Sequence, residues 1–106
     1  MADFDPEEFE DKYANYFQEL QRAYKNAFNQ MNERYDSDLI HGIDQMILNE
    51  SEPFYEDGEF RVEIPENPQE RLQGVLVTDE KFEETLETYV ETIESELHRV
   101  FGVEKP

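Results

Sequence analysis

Residues 78–102, TDEKFEETLETYVETIESELHRVFG, carry the most regular pattern in the chain. Apolar side chains recur at three- and four-residue steps, the period of one helix face: Phe82, Leu86, Tyr89, Val90, Ile93, Leu97, Val100 and Phe101. Glutamates fill most of the opposite positions. Thr78 or Asp79 can cap the amino end, and Gly102 can stop the helix. The segment therefore predicts a long amphipathic helix with one buried side.

The amino-terminal third of the chain carries a second helical pattern, rich in aromatic residues. Asp5 is a suitable helix cap, and Phe4 and Phe9 stand where a hydrophobic staple would pack. The apolar residues again follow three- and four-residue steps: Phe9, Tyr13, Tyr16, Phe17, Leu20, Tyr24, Ala27, Phe28 and Met31. This pattern predicts one long amphipathic helix that runs to about Tyr35.

Between these two helices the sequence predicts a short helix and a β-hairpin. Ser37 or Asp38 can cap the short helix, which should end near Asn49 because a proline follows soon after. Asp57 and Gly58 are typical of a two-residue hairpin turn, and apolar and charged residues alternate after them. The hairpin should bury one face.

Residues 72–77 are expected to add a third strand, since a lone hairpin is marginally stable in water. The order of elements is then α-α-β-β-(β)-α, in a single domain of residues 1–106. The predicted fold is α+β and helix-rich. Two long amphipathic helices and one short helix pack on a small antiparallel hairpin or three-stranded sheet.

Acidic residues dominate the composition. The chain has 28 Asp and Glu against 9 Lys and Arg, a formal net charge of −19. Nucleic acid and anionic membranes bind through Lys and Arg, so we expect neither as a partner. Salt relieves the repulsion, because the screening length falls to about 3 Å at 1 M. With four lysines and no signal peptide, the sequence favours a halophilic, cytoplasmic protein.

Two segments resemble a known family: FDPEEFEDKY at residues 4–13 and VLVTDEKF at residues 75–82. On these segments the chain is similar to a family of small, acidic haloarchaeal proteins of unknown function, and the similarity extends along the chain. The resemblance implies an archaeal, halophilic source. It brings no activity, cofactor or binding residue.

Few residues suggest catalysis or metal binding. The chain has no cysteine, and its two histidines, His41 and His98, lie on predicted helix surfaces. Asp38, His41 and Asp44 share one helix face, but a chain so rich in carboxylates forms such groups by chance. It contains no phosphate-binding glycine loop and no calcium loop. We predict no metal, no cofactor and no catalytic residue, and we regard an enzyme as the less favoured class.

The aromatic stripe of the first helix gives the leading functional hypothesis. A helix of about 30 residues is about 45 Å long, whereas a compact chain of this size is about 33 Å across. Either the helix breaks near residues 29–33 or its overhang packs on a second copy. We predict a non-catalytic interaction protein, a homodimer or an adaptor for another protein, that acts through Tyr13, Phe17, Tyr24, Phe28, Met31 and Tyr35.

Two other functions remain open. An enzyme or small-ligand binder would hold a pocket between sheet and helices, with Tyr55, Arg61 and Tyr89 as candidate lining residues. Alternatively, carboxylates along the last helix can imitate the phosphates of DNA and occupy a nucleic-acid-binding protein. These residues are Glu80, Glu83, Glu84, Glu87, Glu91 and Glu94.

Overall fold

The computed structural model describes residues 4–104, which form six α-helices and a two-stranded antiparallel sheet. The helices are α1 (Pro6–Phe9), α2 (Lys12–Asn15), α3 (Phe17–Arg34), α4 (Ser37–Met46), α5 (Pro68–Arg71) and α6 (Asp79–Phe101). A 3-10 turn at Leu48–Glu50 leads from α4 to strands β1 (Glu52–Glu56) and β2 (Glu59–Glu63). The predicted helix-rich α+β fold is confirmed.

Helix α6 has the ends and the buried face that the sequence predicts. The Thr78 hydroxyl accepts the backbone N–H of Lys81 at 3.2 Å and so satisfies a donor of the first turn. Gly102 ends the helix in the left-handed conformation, with a φ of 68°. The buried side chains of its inner face include Phe82, Leu86, Tyr89, Ile93, Leu97 and Phe101.

Helices α3 and α6 pack antiparallel. Asn26 contacts Glu96, and Met31 contacts Thr92, so residue numbers rise along one helix as they fall along the other. Glu96 is buried at this contact. Its carboxylate accepts the side-chain N–H of Asn26 at 3.1 Å and of Gln30 at 3.0 Å. These two amides satisfy a charge that would otherwise be costly to bury.

The amino-terminal helix is interrupted twice, so the prediction of one continuous helix to Tyr35 is wrong. Asp5 caps α1 as predicted and accepts the N–H two residues on at 2.9 Å. The chain leaves helical geometry at Asp11, whose φ and ψ are −114° and 48°, and again at Tyr16, whose φ and ψ are −130° and 24°. Helix α3 then runs without interruption through residues 29–33, the alternative breakpoint.

The buried side chain of Tyr16 explains this path. Its hydroxyl accepts the backbone N–H of Asp5 and donates to the Glu8 carboxylate, each at 3.1 Å. The rings of Phe9 and Tyr16 are 6.2 Å apart, whereas seven residues of a straight helix span about 10 Å. Folding back brings both rings onto Phe101, at 5.7 and 5.0 Å.

The cap of α4 is Asp36, so the prediction of Ser37 or Asp38 is wrong by one or two positions. The Asp36 carboxylate accepts the N–H of Asp38 at 2.8 Å and that of the next residue at 3.3 Å. The α-helix ends at Met46, three residues before the end predicted near Asn49. The 3-10 turn at Leu48–Glu50 then covers that predicted end.

The predicted hairpin is confirmed. Asp57 and Gly58 form its turn with positive φ values of 52° and 85°, which suit a two-residue loop between twisted strands. In β2 the side chains of Phe60 and Val62 are buried and alternate with exposed charged residues. The sheet therefore packs one face on the helices.

The predicted third strand at residues 72–77 is absent from the described chain, because α6 covers the edge that it would occupy. The backbone N–H of Phe60 donates to Nε2 of His98 at 3.2 Å, and that of Val62 to the Glu94 carboxylate at 3.0 Å. These are alternate residues, so both donors point away from β1. His98 and Glu94, one helical turn apart on α6, thus accept the two outward backbone N–H groups of β2.

The segment at residues 72–77 packs on α4 instead. A methyl group added at Gly42 would lie 2.9 Å from the Leu72 side chain and 3.3 Å from that of Val75. Glycine weakens a helix by about 1 kcal/mol relative to alanine. Gly42 allows this segment to approach the helix closely.

Candidate functional site

A groove opens between α2, α3 and the chain that leads from α4 into β1. Its volume is about 450 Å³, within the usual range for binding pockets. We call it the aromatic groove, and its principal lining residues are Tyr13, Phe17, Tyr24, Asp44, Ser51 and Pro53. Its walls therefore combine aromatic rings with a carboxylate and a hydroxyl.

Two large side chains at this groove are exposed to solvent. Tyr13 is 55% exposed and Phe17 is 51% exposed. Tyr13 belongs to α2 and Phe17 begins α3, so the interruption at Tyr16 lies between them. Adjacent exposed aromatic rings are typical of surfaces that bind a partner.

The floor of the groove is fixed by a hydrogen-bonded chain. The Ser51 hydroxyl donates to the Leu48 carbonyl oxygen at 2.6 Å and lies 3.0 Å from the Tyr24 hydroxyl. Because the Ser51 proton is used, the Tyr24 hydroxyl is the donor to Ser51. Burial raises the pKa of Tyr24 to about 12, so this phenol is neutral at physiological pH. The floor is therefore an uncharged surface whose two hydroxyls are held by hydrogen bonds.

Asp44 is the charged residue that lines the groove. It is half-buried on α4, and burial raises the pKa of its carboxyl, while the nearby His41 opposes that rise. The hydrogen bonds and ion pairs found among residues 4–104 do not involve its carboxylate. Asp44 is therefore a partly desolvated charge that the exposed His41 offsets in part, without a hydrogen bond or ion pair to the described residues.

Asp44→Asn is expected to stabilise the protein at neutral pH. The folded-state pKa of Asp44 is raised, so its charge opposes folding above that pKa and has no effect below the unfolded-state pKa. Solvent screening of this half-exposed group keeps the gain below about 1 kcal/mol. Urea unfolding at fixed salt should separate the variant from wild type at neutral pH and not at about pH 3. A variant that is less stable at neutral pH would contradict this account of Asp44.

A buried lysine lies beside the groove. The Lys12 ammonium is 2.9 Å from the Glu52 carboxylate. It also lies 4.9 Å from the ring centre of Phe54, 5.3 Å from that of Tyr13 and 5.5 Å from that of Phe9. We call this arrangement the lysine cage. Tyr13 belongs to both the cage and the aromatic groove, so the two features share a wall.

The structure divides the predicted interaction residues. Three of them meet in the aromatic groove: Tyr13, Phe17 and Tyr24. Phe28 packs on His41 at 4.9 Å, and the Tyr35 ring lies 5.3 Å from an ammonium group of α6. Met31 is 2% exposed. Its assignment to a binding surface is therefore wrong, because the core encloses it.

The predicted pocket residues Tyr55, Arg61 and Tyr89 do not converge. Tyr55 packs on Phe60 at 5.0 Å, in the aromatic cluster beneath the hairpin. Arg61 is exposed, with its guanidinium 3.7 Å from the Glu56 carboxylate. Tyr89 is 1% exposed and lies in the core. These positions do not form the walls of one pocket.

A polar cavity of about 420 Å³ does lie between β2 and α6, and Arg61, Glu94 and His98 line it. The prediction that His98 lies on a helix surface is wrong, because it is 7% exposed. Its Nε2 accepts from Phe60, so its Nδ1 carries the proton and donates to the Val103 carbonyl at 3.0 Å. Both ring nitrogens therefore hold backbone in place and offer no free base to a substrate.

The predicted glutamate row of α6 is divided as well. The exposed members are Glu80, Glu83, Glu84, Glu87 and Glu91. Glu94 is half-buried and accepts the Val62 N–H. A track of carboxylates thus covers the first part of the helix and stops where the helix meets the sheet.

Residues 4–104 hold neither a cluster of metal ligands nor a membrane-spanning helix. Among residues 4–104, no three His, Asp or Glu side chains are placed to hold a metal ion. Asp38 and His41 are exposed, and Asp44 turns towards the groove. No helix in that part of the chain combines the length and apolar character needed to span a bilayer.

Sequence patterns missed the polar half of the groove and the lysine cage. Helical spacing identifies Tyr13 and Phe17 because both are local features of one segment. Asp44 joins them from α4, and Glu52 reaches Lys12 across 40 positions of sequence. The scarcity of lysine was the one available signal, since a lysine within an aromatic segment is conspicuous in so acidic a chain.

Comparison with known proteins gives a family and no activity. No curated protein and no solved structure matches the chain. A family model matches residues 1–104, almost the whole sequence. The expected membership of a family without assigned function is confirmed, while the haloarchaeal source stays a prediction. The chain belongs to DUF5783, a family of unknown function.

Proposed function

We propose that this chain is a non-catalytic interaction module that binds another protein through the aromatic groove. The observation that carries the proposal is the joint exposure of Tyr13 and Phe17 at the mouth of a groove with a fixed floor. Aromatic anchors that enter or line such pockets contribute most of the binding energy at many interfaces. The groove supplies these anchors without using a core residue.

The proposed setting is a cytoplasm of molar salt. Residues 4–104 contain four ion pairs, against 28 acidic residues in the chain. Most carboxylates therefore face solvent without a cationic neighbour. Salt screens their repulsion, and excluded ions strengthen the burial of apolar surface. Under these conditions an interface built on aromatic contact keeps its affinity better than one built on exposed charges.

A second copy is the less favoured partner. Helix α3 has 18 residues and is about 27 Å long, which fits within the 42 Å longest dimension of the molecule. The overhanging helix that favoured a homodimer therefore does not exist. A homodimer would also bring together two chains that each carry a net charge of −19.

Removal of the exposed anchors is expected to abolish partner binding and leave the fold intact. Phe17→Ala and Tyr13→Ala truncate half-exposed rings, so each should lower stability little while removing a binding anchor. Leu76→Ala is the matched control, because Leu76 is a fully exposed apolar residue outside the groove. Quantitative mass spectrometry of proteins that co-purify at native salt should show one partner retained by the control and lost from both groove variants.

Equal recovery of every co-purifying protein by all three variants would contradict the proposal. Sedimentation at about 2 M KCl supplies the second readout. A wild-type dimer that becomes monomeric on Phe17→Ala would assign the groove to a second copy instead of another protein.

A further inference from the structure

We propose that the aromatic groove binds an arginine side chain from a basic segment of the partner protein, with the guanidinium on the Phe17 ring and paired with the Asp44 carboxylate. This inference rests on the proposed function and names the chemistry of the partner. None of the residues that line the groove is basic, so the cation must come from outside it.

The first argument is the unneutralised charge of Asp44. Its carboxylate is half-buried and takes part in none of the four ion pairs of residues 4–104, and the nearby exposed His41 offsets its charge only in part. A partly desolvated charge gains from an entering cation, because the new ion pair replaces the water that burial has removed. The apolar stem of a long cationic side chain can at the same time cover the aromatic wall.

The second argument is that the same chain already binds a cation in this way. The lysine cage holds the Lys12 ammonium with three aromatic rings and the Glu52 carboxylate. The groove offers a similar combination of aromatic rings and a carboxylate on the other side of Tyr13. It has the rings of Tyr13 and Phe17, the Asp44 carboxylate, and no lysine of its own. Cations on aromatic faces gain about 0.5–2 kcal/mol, depending on how far they are desolvated.

Arginine fits the groove better than lysine. A guanidinium is planar, stacks on rings and presents five N–H donors. The groove can satisfy several of them, because Gln21, Gln45 and Asn49, whose side-chain amides each have an acceptor oxygen, line it beside Asp44. A lysine ammonium has three donors and holds its water more tightly.

The charge of the chain favours a basic segment over an acidic or neutral one. The formal net charge of −19 is complementary to that of a cationic segment. In molar salt this attraction is confined to about 3 Å, so recognition then depends on direct contact in the groove. A pocket that combines rings with a carboxylate keeps that contact.

The test uses two small probes that differ in charge. N-acetyl-arginine methylamide carries the guanidinium, and N-acetyl-citrulline methylamide is its neutral isostere. In an amide chemical-shift titration, the arginine probe should shift Phe17, Tyr24 and Asp44, and the citrulline probe should bind at least about tenfold more weakly. Asp44→Asn should weaken arginine binding by about tenfold or more, whereas Glu87→Gln, an exposed carboxylate of α6, should leave it unchanged.

Equal binding of the two probes, or an unchanged affinity in Asp44→Asn, would overturn the arginine assignment. Urea unfolding of Asp44→Asn shows whether the variant is folded, so a loss of binding by the folded variant is not an effect of misfolding. If the assignment fails while Phe17→Ala still loses its co-purifying protein, the interaction function stands without it. If both experiments fail, the groove is not a binding site.

A third arm separates a protein segment from a free small molecule. The N-acetylated, C-amidated pentapeptide Gly-Ser-Arg-Ser-Gly should bind at least as tightly as free arginine, because it carries no carboxylate for the acidic surface to repel. Binding of free arginine alone would make the occupant a metabolite and overturn the assignment to a partner protein.

Discussion

At about 10 mM ionic strength the protein is expected to lose most of its cooperative helical structure, and to regain it at about 2 M KCl. The chain carries 19 more acidic than basic residues, and its described part holds only four ion pairs. Unfolding separates these charges and lowers their repulsion. Circular dichroism across a KCl titration, with thermal unfolding at each step, measures the effect.

Two groups of variants separate this general repulsion from specific contacts. Glu83→Gln with Glu87→Gln removes exposed charge, so the double variant should fold at lower salt than wild type. Glu96→Gln should instead lower the free energy of unfolding by about 2 kcal/mol at every salt concentration. Glutamine has one acceptor oxygen, so it cannot accept the side-chain N–H groups of both Asn26 and Gln30 as the two carboxylate oxygens do. Equal effects of the two changes would show that position does not matter.

His98→Ala is expected to be the most damaging of the single substitutions considered, with a loss of about 3–4 kcal/mol in the free energy of unfolding. It leaves the buried N–H of Phe60 without an acceptor and the Val103 carbonyl without its donor. It also opens a cavity where the imidazole packs on the Phe60 ring at 4.9 Å. Urea unfolding in high salt gives the value.

Glu94→Ala and Glu91→Ala are the controls for this result, and both should cost less than His98→Ala. Glu94→Ala frees the Val62 N–H in a less buried position, so it should cost about 1 kcal/mol. Glu91 is exposed on the same helix, and its removal should change stability by less than about 0.5 kcal/mol. A loss below about 1 kcal/mol for His98→Ala would show that the strand edge does not depend on α6.

Local patterns predicted the parts of the fold that local physics determines. The period, cap and glycine stop of α6 all lie within one segment, and the hairpin follows from Asp57 and Gly58. The interruption of the first helix depends on Tyr16, whose hydroxyl accepts the backbone N–H of Asp5 and donates to the Glu8 carboxylate. Helical spacing does not predict either hydrogen bond. Periodicity continues across such a break, so it cannot reveal one.

The prediction of a third strand was wrong for a similar reason, because it too depends on contacts between distant residues. Segment 72–77 has the composition of a strand, but a strand needs a free edge. His98 and Glu94 occupy that edge by reaching β2 across 38 and 32 positions of sequence. Sequence spacing placed both residues on a solvent face. Their hydrogen-bond donors are the backbone N–H groups of Phe60 and Val62. Every residue except proline has such a group, so no sequence pattern shows which ones will be bound.

The candidate site shows the same division. Its aromatic half, Tyr13, Phe17 and Tyr24, follows from helical spacing within one segment. Its polar half, Asp44 and Ser51, is brought in by α4 and the turn that follows it. Met31 was assigned to the surface because a stripe does not show where the core ends.

The aromatic groove as a protein-binding site is tested most directly by photo-crosslinking from inside it. Phe17 is replaced by p-benzoylphenylalanine, and Leu76 is replaced in the same way as a control, in cells grown at native salt. We predict one dominant crosslinked protein from position 17 and not from position 76, joined through a segment that contains arginine. The same products from both positions, or none from position 17, would contradict the account.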